Sequence, residues 1–219
     1  MTGPNWEPRR LTAVKAELPE GVTPPGTRGR ILHAALLLFA ERGFHGTSIR
    51  DLARVTEINS ATLYAHYAAK EDILAELIAL GHVELYNGML TALSTAGPSA
   101  RDRLVALVRA QVHMHADYPL LAVVANNEMH ALSPQKAAPA LSLREQARQL
   151  LYGVLRDGVA AGEFAIGDQV LAGIALGSIG IRVANWFGPD QPYTRDQVAD
   201  TFAEYALRIV CALPIKESS

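Results

Sequence analysis

The chain has 219 residues, 49% of them apolar and 19% charged, with a formal net charge of −2. That length allows one domain or two modest ones with an ample core, and the near-neutral balance excludes a global basic field, so any contact with nucleic acid has to be local. Cys211 is the only cysteine, which excludes an intramolecular disulfide; there is no apolar signal core, no charge-free apolar run near the ~18 residues of a membrane span and no internal repeat, so a cytoplasmic protein without a membrane partner is expected.

Residues 1–26 hold Pro4, Pro8, Pro19, Pro24 and Pro25 without sustained periodicity and read as a disordered arm. Beyond the arm the punctuation is helical. A first helix is expected over 27–42, with Leu32, Ala35, Leu36, Phe39 and Ala40 as its apolar stripe and Gly43 as its stop. A second follows behind Thr47 or Ser48 and turns Ile49, Leu52 and Ala53 inward, and a third starts behind Asn59. A fourth over 70–93 packs Ile73, Leu77, Leu80 and Leu85 and is broken by Gly97-Pro98. Further helices are expected over 100–117, 120–132, 138–161, 168–187 and 194–213, separated by Tyr118-Pro119, Ser133-Pro134, Gly162 and Gly188-Pro189. No stretch shows a sustained two-residue alternation with turn signals. The fold class is therefore all-α, with about nine helices.

Residues 43–72, GFHGTSIRDLARVTEINSATLYAHYAAKED, carry the most information. Two short amphipathic helices joined by a three-residue turn are the layout of a helix-turn-helix, whose second helix enters the major groove of DNA. An ordinary helical hairpin is the other reading. Ala53 is small where the two helices must cross, and Ile58 and Leu63 plug the same small core. The segment TSIRDLA…INSATLYAHYAAKEDIL resembles the N-terminal domain of the TetR family of bacterial transcriptional regulators. Leu63-Tyr64-x-His66-Tyr67 followed by Lys70-Glu71 stands where that family has L-Y-x-H-F and K-E/D. The likeness covers about residues 28–75 and is architectural beyond them. Glu57 departs from it: the family usually has glycine in the turn, so either strain or a different turn is expected there.

The resemblance implies a regulator rather than an enzyme, with double-stranded operator DNA as partner, a homodimer, a small-molecule effector and no cofactor. Residues 27–72 become the DNA-binding domain and 73–219 the effector-binding and dimerisation domain. By position, Asn59 caps the recognition helix, and Ser60, Ala61 and Thr62 should reach base edges or the thymine methyl. Arg50 should meet guanine or phosphate. Thr47, Ser48, Tyr64, His66 and Lys70 match positions that grip the backbone, and Lys70 also opens the fourth helix, whose free N–H groups favour phosphate. Tyr67 belongs to the same motif and is grouped with them; core packing is the alternative for Tyr64 and Tyr67, and a structural role for His66. Arg9 and Arg10 of the arm either touch DNA or belong to a dispensable tail.

The eighth helix carries Gly173, Gly177, Gly180 and Ala184 on one face beside Ile174 and Ile181, and the ninth offers Phe202, Tyr205, Ala206, Ile209 and Val210. Interior helix glycine costs about 1 kcal/mol, so these ask for a packing reason. The resemblance implies a four-helix dimer interface built from the last two helices of each subunit; packing on the same chain is the alternative. Helices four to eight should enclose a largely aliphatic pocket, interrupted by polar groups, which suits a hydrophobic ligand with one polar end. Met89, His113, Asn127, Glu128, Tyr152, Arg182 and Trp186 are the expected contacts, with Arg182 alternatively paired to Glu128 or Glu163. His113-x-His115 points to opposite sides of a helix and makes a poor metal chelate. The segments NNEMHALSP and WFGPDQPYT are similar to those of family members among actinobacterial lipid and steroid regulators, which ranks an acyl-CoA, lipid or steroid-derived effector first. A multidrug or efflux regulator is the alternative. From another class, a helical lipid carrier or small enzyme is the alternative, although no GxSxG, P-loop, GxGxxG or metal-ligand spacing is present.

Overall fold

The computed structural model describes residues 16–210. Their regular structure is helical: α1 (Gly26–Arg42), α2 (Ile49–Val55), α3 (Ser60–His66), α4 (Lys70–Thr95), α5 (Ala100–Asp117), α6 (Pro119–Asn127), a 3₁₀ turn (Met129–Ala131), α7 (Pro134–Ala160), α8 (Gln169–Ile181), α9 (Val183–Trp186) and α10 (Arg195–Val210). The helix starts are chemically explicit. Ser48 Oγ accepts from the Asp51 amide at 3.1 Å while Asp51 accepts from the Ser48 amide at 3.1 Å, a capping box that chooses Ser48 over Thr47 as the start of α2. Asn59 Oδ1 accepts from the Thr62 amide at 2.7 Å and starts α3. Asp168 and Thr194 cap α8 and α10 in the same way.

Three boundaries differ from expectation. The sixth helix ends at Asn127 and tightens into the 3₁₀ turn instead of continuing to 132. The seventh starts earlier, at Pro134, because proline at a first helical position has no N–H to lose. The Glu71 carboxylate, from α4, accepts the Ser133 amide at 2.6 Å beside it. The eighth is interrupted at Arg182, which divides it into α8 and α9 and gives ten α segments among the described residues.

Two buried clusters make up most of the core. In the first, Ile31, Leu32, Leu36, Phe39, Leu52, Leu63, Ile73, Leu74 and Leu77 join α1–α4, and Leu121 and Val124 of α6 close it from the body. Burial of each such side chain contributes about 1.5–3 kcal/mol. Packing is therefore continuous across residue 72. Leu18 is buried in this cluster with Val22 against it, so the part of the expected arm that is described, 16–25, belongs to the folded head. Arg9, Arg10, Lys15 and Cys211 lie outside the described residues. The second cluster packs Met89, Leu104, Leu107, Val154, Leu155, Leu176 and Val210. Like α7, α4 runs through both. It is long and apolar enough to cross a membrane, but Ile73, Leu74, Leu77 and Ile78 are wholly buried between its neighbours.

Candidate DNA-reading head and effector cavity

The turn between α2 and α3 is held by the backbone. The Glu57 amide donates to Arg54 O at 3.3 Å and the Ile58 amide to Ala53 O at 3.0 Å, which closes α2 as a Schellman-type cap. That cap requires a left-handed residue. Glu57 supplies it at φ 56°, the one non-glycine residue with positive φ among those described. The turn is thus of the usual kind, with a side chain forced into a conformation glycine would adopt freely. Leu52, Ala53 and Leu63 are buried and Ile58 packs on them, fixing the crossing of the two helices.

Of the residues expected to meet DNA, Arg50, Asn59, Ala61, Tyr64 and His66 are exposed on the outer face, with Ser60 and Thr62 half-exposed beside them. Tyr64 is 53% exposed, so core packing does not account for it. Arg50 has no carboxylate partner among the described residues, whereas its neighbour Arg54 pairs with Asp51 at 2.6 Å. Ser48 is exposed, with its hydroxyl engaged in the capping box.

Three members of the expected set turn inward instead. Thr47 is buried and its hydroxyl bonds to Gly43 O at 3.0 Å. Tyr67 is 4% exposed. Arg28 Nε donates to its hydroxyl at 3.3 Å and also pairs with Glu76, and burial pushes the phenol well above its ordinary pKa. Lys70 donates to Phe44 O and Thr47 O, both at 2.6 Å, and sits 4.1 Å above the Phe44 ring. Desolvation lowers its pKa. Two of its three donors thus clamp the loop between α1 and α2 rather than reaching outward. Arg28, which ties α1 to α4 through Glu76, carries no local spacing signal that would have revealed it.

The body encloses a cavity of about 290 Å³ between α4, α5, α6, α7 and α8. Met89 and Tyr152 line it as expected. The other expected contacts do not. His113 faces Asp196 of α10 at 2.9 Å, on the opposite side of α5 from His115. Trp186 packs in a separate cluster with Val112 and Val198. Glu128 closes α6 near Gly43 and is not part of the cavity wall, although Asn126 two residues before it is. Asn127 and Arg182 line an adjoining recess of about 270 Å³ with Asn185. Among the described residues Arg182 forms no ion pair with Glu128, and Glu163 accepts the amides of Ala100 and Arg101, each at 3.1 Å, at the start of α5.

The cavity wall also holds polar groups outside the expected contact set, among them His82 and His115. His82 is buried and its Nε2 has no hydrogen-bond partner among the described residues. Burial first, then the charges of Arg144 and His115, holds its pKa at about 4, so it is neutral. His115 Nδ1 lies 2.8 Å from Gln111 O, which places the proton on Nδ1 and leaves Nε2 as an acceptor near Asn126. Burial lowers its pKa as well.

The small-residue face of α8 is divided. A side chain at Gly173 would meet the Tyr152 ring at 2.5 Å and one at Gly180 would meet Gln111 at 2.6 Å, so these two glycines pack on the same chain. Ala206 is likewise buried within it. Gly177 faces open space, Ile181, Phe202 and Ile209 are half-buried, and Tyr205 is exposed. The apolar surface left over is a row on α8: Val170, Leu171 and Ile174 are 58%, 64% and 57% exposed.

A capped helix pair with an exposed reading face, mounted on a long helix that also walls an apolar cavity, defines a helix-turn-helix regulator. Residues 31–77 match the family described as "Bacterial regulatory proteins, tetR family", and residues 97–210 match the "Tetracyclin repressor-like, C-terminal domain". The chain belongs to the TetR family of bacterial transcriptional regulators. It is 29% identical over 184 residues to the transcriptional repressor KstR2 of Rhodococcus jostii, covering 83% of this chain and 90% of that one. A TetR-family regulatory protein from Rhodococcus RHA1 superposes with a TM-score of 0.80 at 30% identity, covering 86% of this chain and 98% of that one. The ketosteroid transcriptional regulator KstR2 of Mycobacterium tuberculosis does so with a TM-score of 0.78 at 25% identity, covering 87% and 97%.

Proposed function

We propose that this regulator is a cytoplasmic repressor that binds double-stranded operator DNA as a homodimer and is released by a hydrophobic small molecule with one polar end. An acyl-CoA, lipid or steroid-derived compound ranks first. The observation that carries the reading is the reach of α4. His82, Leu85 and Met89 line the cavity, while Ile73, Leu74 and Leu77 of the same helix pack the head. A ligand that favours one tilt of α4 would move both ends together, and a ligand without such a preference would switch nothing. α7 adds a second link: Lys136 pairs with Asp72 at 2.6 Å and Ser133 binds Glu71, so the cavity wall is also tied to the first turn of α4.

The relatives favour the same ranking, since those named here include a repressor and a ketosteroid regulator. Among the described residues no acid lines the cavity, which weighs against the cationic compounds that a multidrug regulator would sense. Pairing through the exposed row on α8 would let two heads read two half-sites, multiplying the few base contacts that one head offers. The test is a gel shift with the DNA upstream of the protein's own gene, followed by titration of a steroid, fatty-acid and acyl-CoA panel. Binding that resists competitor DNA and is reversed by one class is expected. Absence of binding at low salt would favour a lipid carrier, and affinity unaltered by the whole panel would remove the switch.

A further inference from the structure

We propose that the recess beside the cavity is an anion subsite, in which Arg144 and Arg182 hold the carboxylate or phosphate oxygens of an effector whose apolar part fills the cavity. The inference rests on the effector cavity proposed above and adds the chemistry of its polar end.

The two spaces adjoin, because Ala122, Asn126, Arg144 and Ile181 belong to both walls. Among the described residues, neither wall contains an aspartate or glutamate. Among the described residues Arg144 and Arg182, both exposed, form no ion pair, whereas Arg148 pairs with Glu145 at 2.6 Å, Arg103 with Asp157 at 3.0 Å and Arg195 with Asp117 at 2.7 Å. The interruption between α8 and α9 falls at Arg182 itself, which follows the C-terminus of α8, where a cation is favoured. Asn127 and Asn185 line the same recess and add neutral donors. Two unpaired guanidinium forks beside amides and without acids are suited to planar or tetrahedral oxyanions, which arginine binds in bidentate fashion. An apolar cavity ending in this group selects a molecule with an anionic head and an apolar tail.

The experiment is isothermal titration of the full chain with three probes that share one tail: 1-decanol, decanoic acid and decanoyl-coenzyme A. A medium-length tail is chosen because about 290 Å³ lies near the small end of the ~300–1,000 Å³ range of ligand sites. Arg144→Gln and Arg182→Gln are each expected to weaken anionic probes about tenfold, or ~1.4 kcal/mol, and the double variant about a hundredfold. Binding of 1-decanol should stay at the parent value, which also shows that the variants are folded. Arg208→Gln, on α10, serves as the charge control. Weakening confined to decanoyl-coenzyme A assigns the subsite to phosphate, and weakening shared with decanoic acid assigns it to carboxylate. If the parent prefers neither anionic probe to 1-decanol, or the variants lose all three in equal measure, the subsite is overturned while the cavity reading stands. A parent protein that binds none of them overturns both.

Discussion

The head and the body treat their polar groups in opposite ways. In the head, Thr47, Tyr67 and Lys70 are drawn inward and each finds a partner there: a carbonyl, the Arg28–Glu76 pair, and two loop carbonyls. Around the cavity, the buried His82 Nε2 has no partner among the described residues, and the exposed Arg144 has no counter-charge among them. Unsatisfied buried groups destabilise a fold by about 1–3 kcal/mol each unless something binds them. The head therefore has the construction of a rigid part whose outer face alone does the reading, and the body that of a part left incomplete for a ligand.

Truncation of matched leucines tests this contrast most severely. Leu63→Ala removes a fully buried side chain at the junction of α1, α2 and α3. It should cost about 2–5 kcal/mol and abolish operator binding. Leu85→Ala, in a cavity wall that already borders empty space, should cost about 1 kcal/mol or less, since much of its contact is already missing. Urea unfolding of both variants checks the difference. Equal losses would mean that the cavity is packed as tightly as the head.

Lys70 separates a clamp from a phosphate grip. Lys70→Ala removes two charge-assisted hydrogen bonds, which should cost about 1.5–3 kcal/mol each at most and less where water replaces them. A clamp predicts a lowered Tm and weaker operator binding with an unchanged salt dependence. Loss of about one unit of salt slope with the Tm intact would instead return Lys70 to the DNA-contacting set.

These inward residues mark the limit of what was legible in the sequence. Helix starts could be read because their causes lie within a few residues: Ser48 with Asp51, Asn59 with Thr62, Thr194 with Gln197. The motif around Leu63 to Lys70 located the head, but not the direction of each side chain. Thr47 and Lys70 turn inward through contacts with Leu38 and Phe44 that sequence spacing does not contain. The cavity was harder still, because its wall takes one or two turns from each of five helices. His113 and His115 lie two residues apart on α5, yet one meets Asp196 and the other meets the cavity. Which of them faces inward depends on how α5 packs, and a local pattern does not fix that. Gly173 and Gly180 failed as interface markers for a related reason: small residues signal a close neighbour without saying whose.

His82 gives the body a pH signature that the head lacks. Its pKa is depressed from the ordinary 6.5 to about 4, so it is neutral in the fold, while the unfolded chain takes up a proton first as the pH falls. Its contribution is complete above about pH 6.5 and is lost progressively toward pH 4. Between about pH 7 and pH 5 this amounts to a loss on the order of 2 kcal/mol. His82→Leu should flatten that part of the stability curve in urea titrations. Some slope should remain from His115, which is shifted in the same direction and faces the same space. An unchanged slope would show that His82 is hydrated in solution and that the cavity is open to water.

The smallest effect returns to the head. Glu57 holds φ 56° to close the Schellman-type cap between α2 and α3. An L side chain in that conformation costs about 1–2 kcal/mol, and glycine removes the clash while restoring entropy to the unfolded chain. Glu57→Gly should therefore raise stability by a net of about 0.5–1 kcal/mol. It should leave operator affinity unchanged, because the amides of Glu57 and Ile58, not the Glu57 side chain, set the helix crossing. A fall in stability would mean that the carboxylate has a partner holding the turn. Unchanged stability with altered sequence preference would mean that Glu57 takes part in reading DNA, and that the outer face of the head extends into its turn.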